Sequence, residues 1–386
     1  MGKTMIYMNN AATTFPKPQE VVNAVNSYLI APPSHSERSG IEKESEDFIF
    51  NTREKLAELF NVPKAEQIVF TSGSTEALNI ALKGLPLEGG HVVSTKIEHN
   101  SVIRPLMMMK EEGKIGLDFV DCDDKAYVPP ENIERAIRPD TRAVVVNHCS
   151  NVTGQVLDIK AIAEIAHKND CYFIVDASQS AGALPIDVVD MDIDFMAFTG
   201  HKSLYGMPGI GGLYIREGMK PRPLKVGGTG ILSEVLTQPE GMPIFYEAGT
   251  PNLPGIVSLR AGVQWVLERG IDAICDHKKR QLGRIMEELE PIEEITVYNN
   301  MDDHSSCTVF CFNIKNLVPE EVNYVLESSY DISVRSGLHC APLLLEALGV
   351  HPWGTVRASP SFFTKDEEIE KFIDAIKDIV KTMVRR

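Results

Sequence analysis

The sequence predicts an α/β protein, with a mostly parallel β-sheet covered by helices on both faces and a smaller α+β unit after it. Three observations carry this. Strand-like and helix-like segments alternate from about residue 15 to 250, the strand runs are apolar throughout, and the pattern changes after about residue 253. Strands buried on both faces of a parallel sheet read as continuous apolar runs, and helices supply the crossovers between them. The 386 residues are enough for two or three domains. We assign 15–253 to a large domain, and 1–14 with 254–386 to a small one.

In chain order, the strand runs of the large domain are Ile68–Phe70, His91–Ser94, Ala143–Val146, Tyr172–Val175 and Ile193–Phe198. Helical patterns at Ser74–Lys83 and Ile159–His167 lie between them. Such folds bind ligands at the carboxyl ends of their strands. Beyond residue 253, Gly255–Arg269 reads as a long helix. Short strands at Cys307–Ile314 and Ile332–Arg335 flank a helix at Pro319–Ser328. The last helix spaces Ile369, Phe372, Ile373, Ile376, Ile379, Val380 and Met383 by threes and fours, which makes one apolar face for a small sheet.

Composition narrows the function. Hydrophobic residues are 43% and charged residues 24%, values of a globular chain rather than a disordered or collagen-like one. The net charge of −16 repels a polyanion, so no nucleic-acid partner is expected. No apolar run approaches the ~20 residues of a membrane span, and the first residues lack a hydrophobic signal core. A cytoplasmic protein with no membrane partner is expected. Seven cysteines (122, 149, 171, 275, 307, 311 and 340) form an odd, scattered set without a C-x-x-C pair. That excludes a disulfide framework and a zinc knuckle, and no metal is expected. Most of them fall in apolar, strand-like runs and read as inert core thiols; Cys340 stands apart.

The chemistry-bearing residues cluster at predicted strand ends. Phe198-Thr199-Gly200-His201-Lys202-Ser203 ends a strand in a lysine flanked by small and hydroxyl residues, followed by the glycine-rich run Gly206–Gly212. An amine so placed suits a Schiff base with pyridoxal phosphate. Asp176 closes the preceding strand, where a carboxylate can keep a pyridine nitrogen protonated. Thr71-Ser72-Gly73-Ser74-Thr75 joins a strand to a helix start, a ready anion site. His99 offers an imidazole to stack on a ring, and Asn151 an amide for a phenolic oxygen. In the second domain, Arg335-Ser336-Gly337-Leu338-His339-Cys340-Ala341-Pro342 reads as a strand, a flexible Ser-Gly turn and a cysteine before a helix. Cys340, beside His339 and that helix start, suits a nucleophile. Arg357 suits a bidentate carboxylate clamp.

Taken in order, these motifs resemble the fold-type I pyridoxal-phosphate-dependent transferases of the class V aminotransferase superfamily. More narrowly they are similar to the cysteine desulfurase / selenocysteine lyase family. The resemblance runs from Tyr7-Met8-Asn9-Asn10-Ala11-Ala12-Thr13-Thr14 to the last helix, and the Arg-Ser-Gly-x-His-Cys-Ala-Pro loop is group II-like. It implies a large domain with a mostly parallel seven-stranded sheet and a smaller C-terminal α+β domain. It also implies pyridoxal 5′-phosphate on Lys202, with Asp176 at the ring nitrogen and His99 stacked on the ring and moving protons. Asn151 and Gln179 would lie on the phenolic-oxygen side; Ser74, Thr75, Thr199 and His201 would cradle the phosphate. Thr250 would reach the phosphate of a partner subunit in a homodimer. Arg357, with Asn151, would hold the substrate, and Cys340 would form a persulfide. The implied reaction takes L-cysteine to L-alanine and passes sulfur to a thiol or a sulfur-acceptor protein. The alternatives are L-selenocysteine cleavage, or a lyase, epimerase or aminotransferase of the same superfamily; a non-enzymatic scaffold fits the intact lysine, aspartate and arginine poorly. Four features depart from the family pattern: Asn9 stands for an aspartate, Thr199 stands where serine is common and keeps the hydroxyl, Ser203 follows Lys202 as an extra residue, and the early loop 33–40 does not clearly match.

Overall fold

The computed structural model describes residues 5–30, 48–300 and 309–384. The early loop 33–40 and Cys307 lie outside the described residues. The chain runs β1 (Ile6–Tyr7), α1 (Gln19–Ile30), α2 (Phe48–Phe60), β2 (Ile68–Thr71), α3 (Ser74–Gly84), β3 (Gly90–Thr95), α4 (Asn100–Glu111), β4 (Ile115–Val120), α5 (Pro130–Ala136), β5 (Thr141–Asn147), α6 (Ile159–Lys168), β6 (Tyr172–Asp176), β7 (Phe195–Thr199) and β8 (Gly211–Ile215). It continues as α7 (Leu253–Arg269), α8 (Ile271–Leu289), β9 (Ile295–Val297), β10 (Phe310–Ile314), α9 (Pro319–Tyr330), β11 (Ile332–Ser333), β12 (Arg335–Gly337), α10 (Pro342–Ala347), β13 (Thr355–Ala358) and α11 (Asp366–Ile379).

Seven strands form one sheet in the order β2-β8-β7-β6-β5-β3-β4. Only β8 is reversed; it pairs antiparallel with both β2 and β7. The other six therefore point the same way, and their carboxyl ends share one edge. Their side chains are buried on both faces, as the apolar runs require: β2, β3, β7 and β8 are buried at every position. One core lies on each side of this sheet, one holding Val144, Val146, Phe173 and Phe198, the other Val92, Val145, Ile174 and Phe195.

Strand β8 begins in the last two residues of the glycine-rich run Gly206–Gly212, where the sequence pattern marks no strand. Glycine is needed there by close approach. A Cβ on Gly211 would lie 2.5 Å from the Phe198 carbonyl oxygen and 2.7 Å from Gly73 Cα. Gly262 of α7 does the same for the turn after Lys202: its Cβ would meet the Leu204 carbonyl oxygen at 2.0 Å. We expect Gly262→Ala to push α7 off that turn and cost about 1–3 kcal/mol, read as a lower midpoint in urea unfolding.

A second sheet, β12-β13-β10-β9, is antiparallel throughout. Its core gathers Phe310, Phe312, Phe372 and the apolar face of α11. Two sequence expectations are corrected here. The run Ile332–Arg335 is not one strand: β11 pairs with β1, and after Val334 the chain crosses to β12 and the other sheet. Met383 does not share the α11 face but is 39% exposed, because residues 380–384 wind into a wider π turn that rotates it outward. Among the cysteines, Cys149, Cys171, Cys275 and Cys311 are buried, but Cys122 is only half-buried and Cys275 lies in a helix. Among the described residues, no helix is long and apolar enough to cross a membrane.

Candidate active site

At the common strand edge lies a cavity of about 360 Å³, the size of a small-molecule site. The register of the sheet builds it. Asn147, Asp176 and Ala197 are neighbours across β5, β6 and β7, and Thr199, Gly211 and Thr71 across β7, β8 and β2. Ser74, Thr75, His99, Asn151, Asp176, Gln179, Thr199, His201, Lys202 and Arg357 line it, so ten of the twelve expected site residues converge. Thr250 does not: it is exposed, outside the cavity lining. Cys340 is half-buried at its border, 3.6 Å from Arg335 Nη2, and Arg335 lines the cavity.

Lys202 follows β7 on a turn held from three sides. Gly206 N–H donates to the Gly200 carbonyl, Tyr205 N–H to the Lys202 carbonyl, and Thr14 Oγ1 to the Lys202 carbonyl at 2.9 Å. Lys17 Nζ donates to the His201 carbonyl at 2.7 Å. Burial pushes the Lys202 amine down to about 8; Arg357 and Arg335 add to this, against the pull of Asp176. Asp176 Oδ1 accepts from Ser74 Oγ at 3.1 Å and from the Ser178 N–H at 2.9 Å. Ser74 thus serves Asp176, while Thr75 at the start of α3 is exposed toward the cavity.

Arg357 is 1% exposed, and its hydrogen bonds among the described residues go to neutral oxygens. Its Nη1 donates to the Asn151 carbonyl at 2.7 Å, its Nη2 reaches Asn9 Oδ1 at 3.4 Å, and its Nε has no partner. Asn9, whose role the sequence left open, thus stands against this arginine. Burial, with Arg335 adding to it, pushes the guanidinium down to about 9. A buried cation bonded to neutral oxygens calls for an anion in the cavity.

The cysteine loop corrects two expectations. Ser336 and Gly337 form no flexible turn; they pair with Val356 and Thr355 in the sheet. The turn is Leu338–Ala341, where His339 (φ 49°) and Cys340 (φ 60°) are both left-handed, a strained arrangement for two side-chain-bearing residues. The Cys340 carbonyl accepts from the Asn100 N–H at 2.8 Å. His339 is not the cation beside Cys340: burial holds it neutral, and its Nε2 turns away to Thr355 at 3.0 Å. The cation is Arg335, directly across from Arg357 in the β12–β13 pair.

Sequence reasoning quoted Arg335 in its motif without giving it a role, and it missed Glu98. This buried carboxyl accepts from Thr95 Oγ1 at 2.6 Å and from the Asn147 N–H at 2.9 Å, tying the end of β3 to the end of β5. Burial, with Asp176 adding to it, raises it to about 8 against the pull of these two hydrogen bonds. Only its place next to His99 signalled it.

The polar groups around the cavity fit pyridoxal phosphate. Buried polar atoms without partners converge on the cavity: Asn147 Oδ1, Asn151 Oδ1, His201 Nδ1, His339 Nδ1 and Arg357 Nε. An amine, a carboxylate and a helix start stand around one space, which suits an aldehyde, a pyridine nitrogen and a phosphate respectively.

An α/β fold with a lysine at a strand end, facing a carboxylate across such a cavity, defines the class of cofactor-binding transferases. The chain belongs to the aminotransferase class-V family, whose model matches residues 6–372. It is 34% identical to a probable cysteine desulfurase of Methanothermobacter thermautotrophicus, covering 97% of this chain and 94% of that one. A probable cysteine desulfurase of Pyrococcus abyssi is 32% identical over 99% and 96%. Among solved structures, the apo cysteine desulfurase of Thermococcus onnurineus superposes with a TM-score of 0.90 at 32% identity, over 98% of this chain and 95% of that one. A cysteine desulfurase of Escherichia coli gives 0.88 at 26% identity, over 98% and 96%.

Proposed function

We propose that this protein is a pyridoxal-phosphate-dependent cysteine desulfurase that converts L-cysteine to L-alanine and takes the sulfur onto Cys340. The observation that carries this is the placement of Cys340 Sγ beside Arg335, on the border of the cavity that holds Lys202 and Arg357. Bound there, pyridoxal phosphate would supply an electron sink for the charge left at the substrate α-carbon. Lys202 would hold it, with Asp176 at its ring nitrogen, His99 over its ring, Asn151 and Gln179 on its phenolic side, and Thr75, Thr199 and His201 around its phosphate.

This chain's residues then do the following. Arg357 binds the substrate carboxylate and orients the amino acid. Lys202, once released, takes the α-proton as general base. Cys340 Sγ attacks the substrate sulfur; its S–S bond forms as the Cβ–S bond breaks. The sum is cysteine plus the Cys340 thiol giving alanine plus the Cys340 persulfide, with atoms and electrons conserved. A small thiol or a sulfur-acceptor protein then takes the outer sulfur. Quantifying alanine and sulfide from L-cysteine, with dithiothreitol as acceptor, tests the reading. Equal amounts of both products are expected; pyruvate, or a transaminated keto acid, would overturn it. Selenide from L-selenocysteine without sulfide from cysteine would make the protein a selenocysteine lyase instead.

Arg357→Ala should raise KM for L-cysteine about 10- to 100-fold, the loss of a charge-assisted contact of ~1.5–3 kcal/mol, while the cofactor absorbance band stays. Equal competition by cysteamine, which lacks the carboxylate, would show that no carboxylate is read. Thr250, exposed and not among the cavity lining, supports a homodimer in which that residue serves the other subunit's cavity. Light scattering on a sizing column should give twice the chain mass; a fully active monomer would contradict it. Among the described residues the six cysteines are free thiols, which supports a cytoplasmic setting.

A further inference from the structure

His99 is the N-cap of α4: its Nδ1 accepts the Ser101 backbone N–H at 3.1 Å. A backbone N–H only donates, so Nδ1 carries no proton and the ring hydrogen sits on Nε2. The Ser101 hydroxyl lies 2.9 Å from the same Nδ1 and 2.8 Å from Thr75 Oγ1. Because Nδ1 accepts, the Ser101 O–H donates to it and is left to accept from the Thr75 O–H. A chain of donors thus runs from Thr75 through Ser101 to His99, and all three residues line the cavity. Thr75 stands at the start of α3, a site for an anion; His99 stands between β3 and α4, on the same edge as Lys202.

We propose that Ser101 is a positioning residue for the desulfurase reaction: with its N–H and its hydroxyl it holds the His99 ring so that Nε2–H faces the cavity, and it ties that ring to Thr75 of the anion cradle. The proposal rests on the function argued above. The surroundings agree with a neutral ring. Burial, together with Lys202, Arg335 and Arg357, disfavours a second proton against the pull of Asp176, and brings His99 down to about 4. The positive end of α4 acts in the same direction. Without the hydroxyl, one donor remains on Nδ1 and the link to Thr75 is cut, so the ring is free to turn.

The test uses the holoenzyme with ¹⁵N-labelled histidine. There are ten histidines, and His99→Gln identifies the His99 signals by their loss. In the wild type, His99 should show a bare Nδ1 and a protonated Nε2. In Ser101→Ala the two shifts should move toward each other, with kcat down about tenfold and cofactor affinity within about threefold of wild type. Ser101→Thr, which keeps the hydroxyl, should restore both. A wild-type ring protonated at Nδ1 overturns the proposal, as does Ser101→Ala with unchanged nitrogen shifts or unchanged kcat. A loss of cofactor affinity parallel to the loss of kcat also overturns it, since Ser101 would then serve the cradle alone. If the wild type makes no sulfide, the function fails while the nitrogen shifts still decide the tautomer.

Discussion

Lys202→Ala should abolish turnover, with kcat for L-cysteine falling by at least roughly 10³-fold. Borohydride reduction of the wild type should fix pyridoxal phosphate to the peptide containing Lys202, and to no other. Lys202→Arg should fail as fully, because a guanidinium keeps the charge but cannot attack an aldehyde or accept an α-proton. The environment of the amine sets a pH signature as well. Its ordinary value is 10.5, and burial brings it down to about 8. Below about 8 the folded apoprotein holds an ammonium, which does not add to a carbonyl; above it the neutral amine does. The rate of cofactor uptake by apoprotein, followed by absorbance, should therefore rise as pH passes about 8 and level off well before 10.5. A rate still climbing through pH 10 would show that the amine is not desolvated. A reduced adduct on another lysine would remove Lys202 from the centre of the reaction.

The strand-end residues were legible because their signal is local. A continuous apolar run followed by a functional side chain marks the carboxyl end of a buried parallel strand: Asp176 closes β6, and Thr199 closes β7 just before the turn that carries Lys202. That β2, β5, β6 and β7 bring their ends to one edge follows from their common direction. Strand β8 was not legible, because Gly211 and Gly212 carry no strand propensity. They are glycine since Phe198 and Gly73 leave no room for a Cβ, which is a fact of packing between strands. Arg335 was missed for a similar reason. Its importance comes from the β12–β13 register, which sets it opposite Arg357, and register between strands twenty residues apart leaves no local trace. The Ser336-Gly337 pair misled in the other direction. Its residues favour turns, but the sheet took them as an edge strand. The roles of Ser74 and His339 turned on single hydrogen bonds, to Asp176 and Thr355, that spacing in sequence does not encode.

Cys340→Ser should leave cofactor binding and substrate recognition in place and stop sulfur release. The reason is geometric. The Cys340 side chain stands at the border of the cavity, not in it, so removing its sulfur leaves Lys202, Asp176 and Arg357 untouched. Sulfide formation should fall below about 1% of wild type, a loss of at least ~2.7 kcal/mol of transition-state stabilisation. Spectral changes on adding L-cysteine should persist, because the steps before sulfur transfer need only the amine and the arginine. In the wild type, mass spectrometry after brief exposure to cysteine without a thiol acceptor should find one extra sulfur on the Cys340 peptide. The other cysteines should stay unmodified: burial pushes the thiols of Cys122 and Cys171 up to about 11 and that of Cys311 to about 12, which leaves them little thiolate to react. The two left-handed residues at the turn add a further expectation. Cys340→Gly would relieve strain at that position while deleting the nucleophile. It should therefore be at least as stable as the wild type and as inactive as the serine variant, which separates loss of chemistry from loss of fold. Wild-type sulfide rates in either variant, or an unmodified Cys340 during steady turnover, would make this cysteine a bystander and move the reaction to one that needs Lys202 alone.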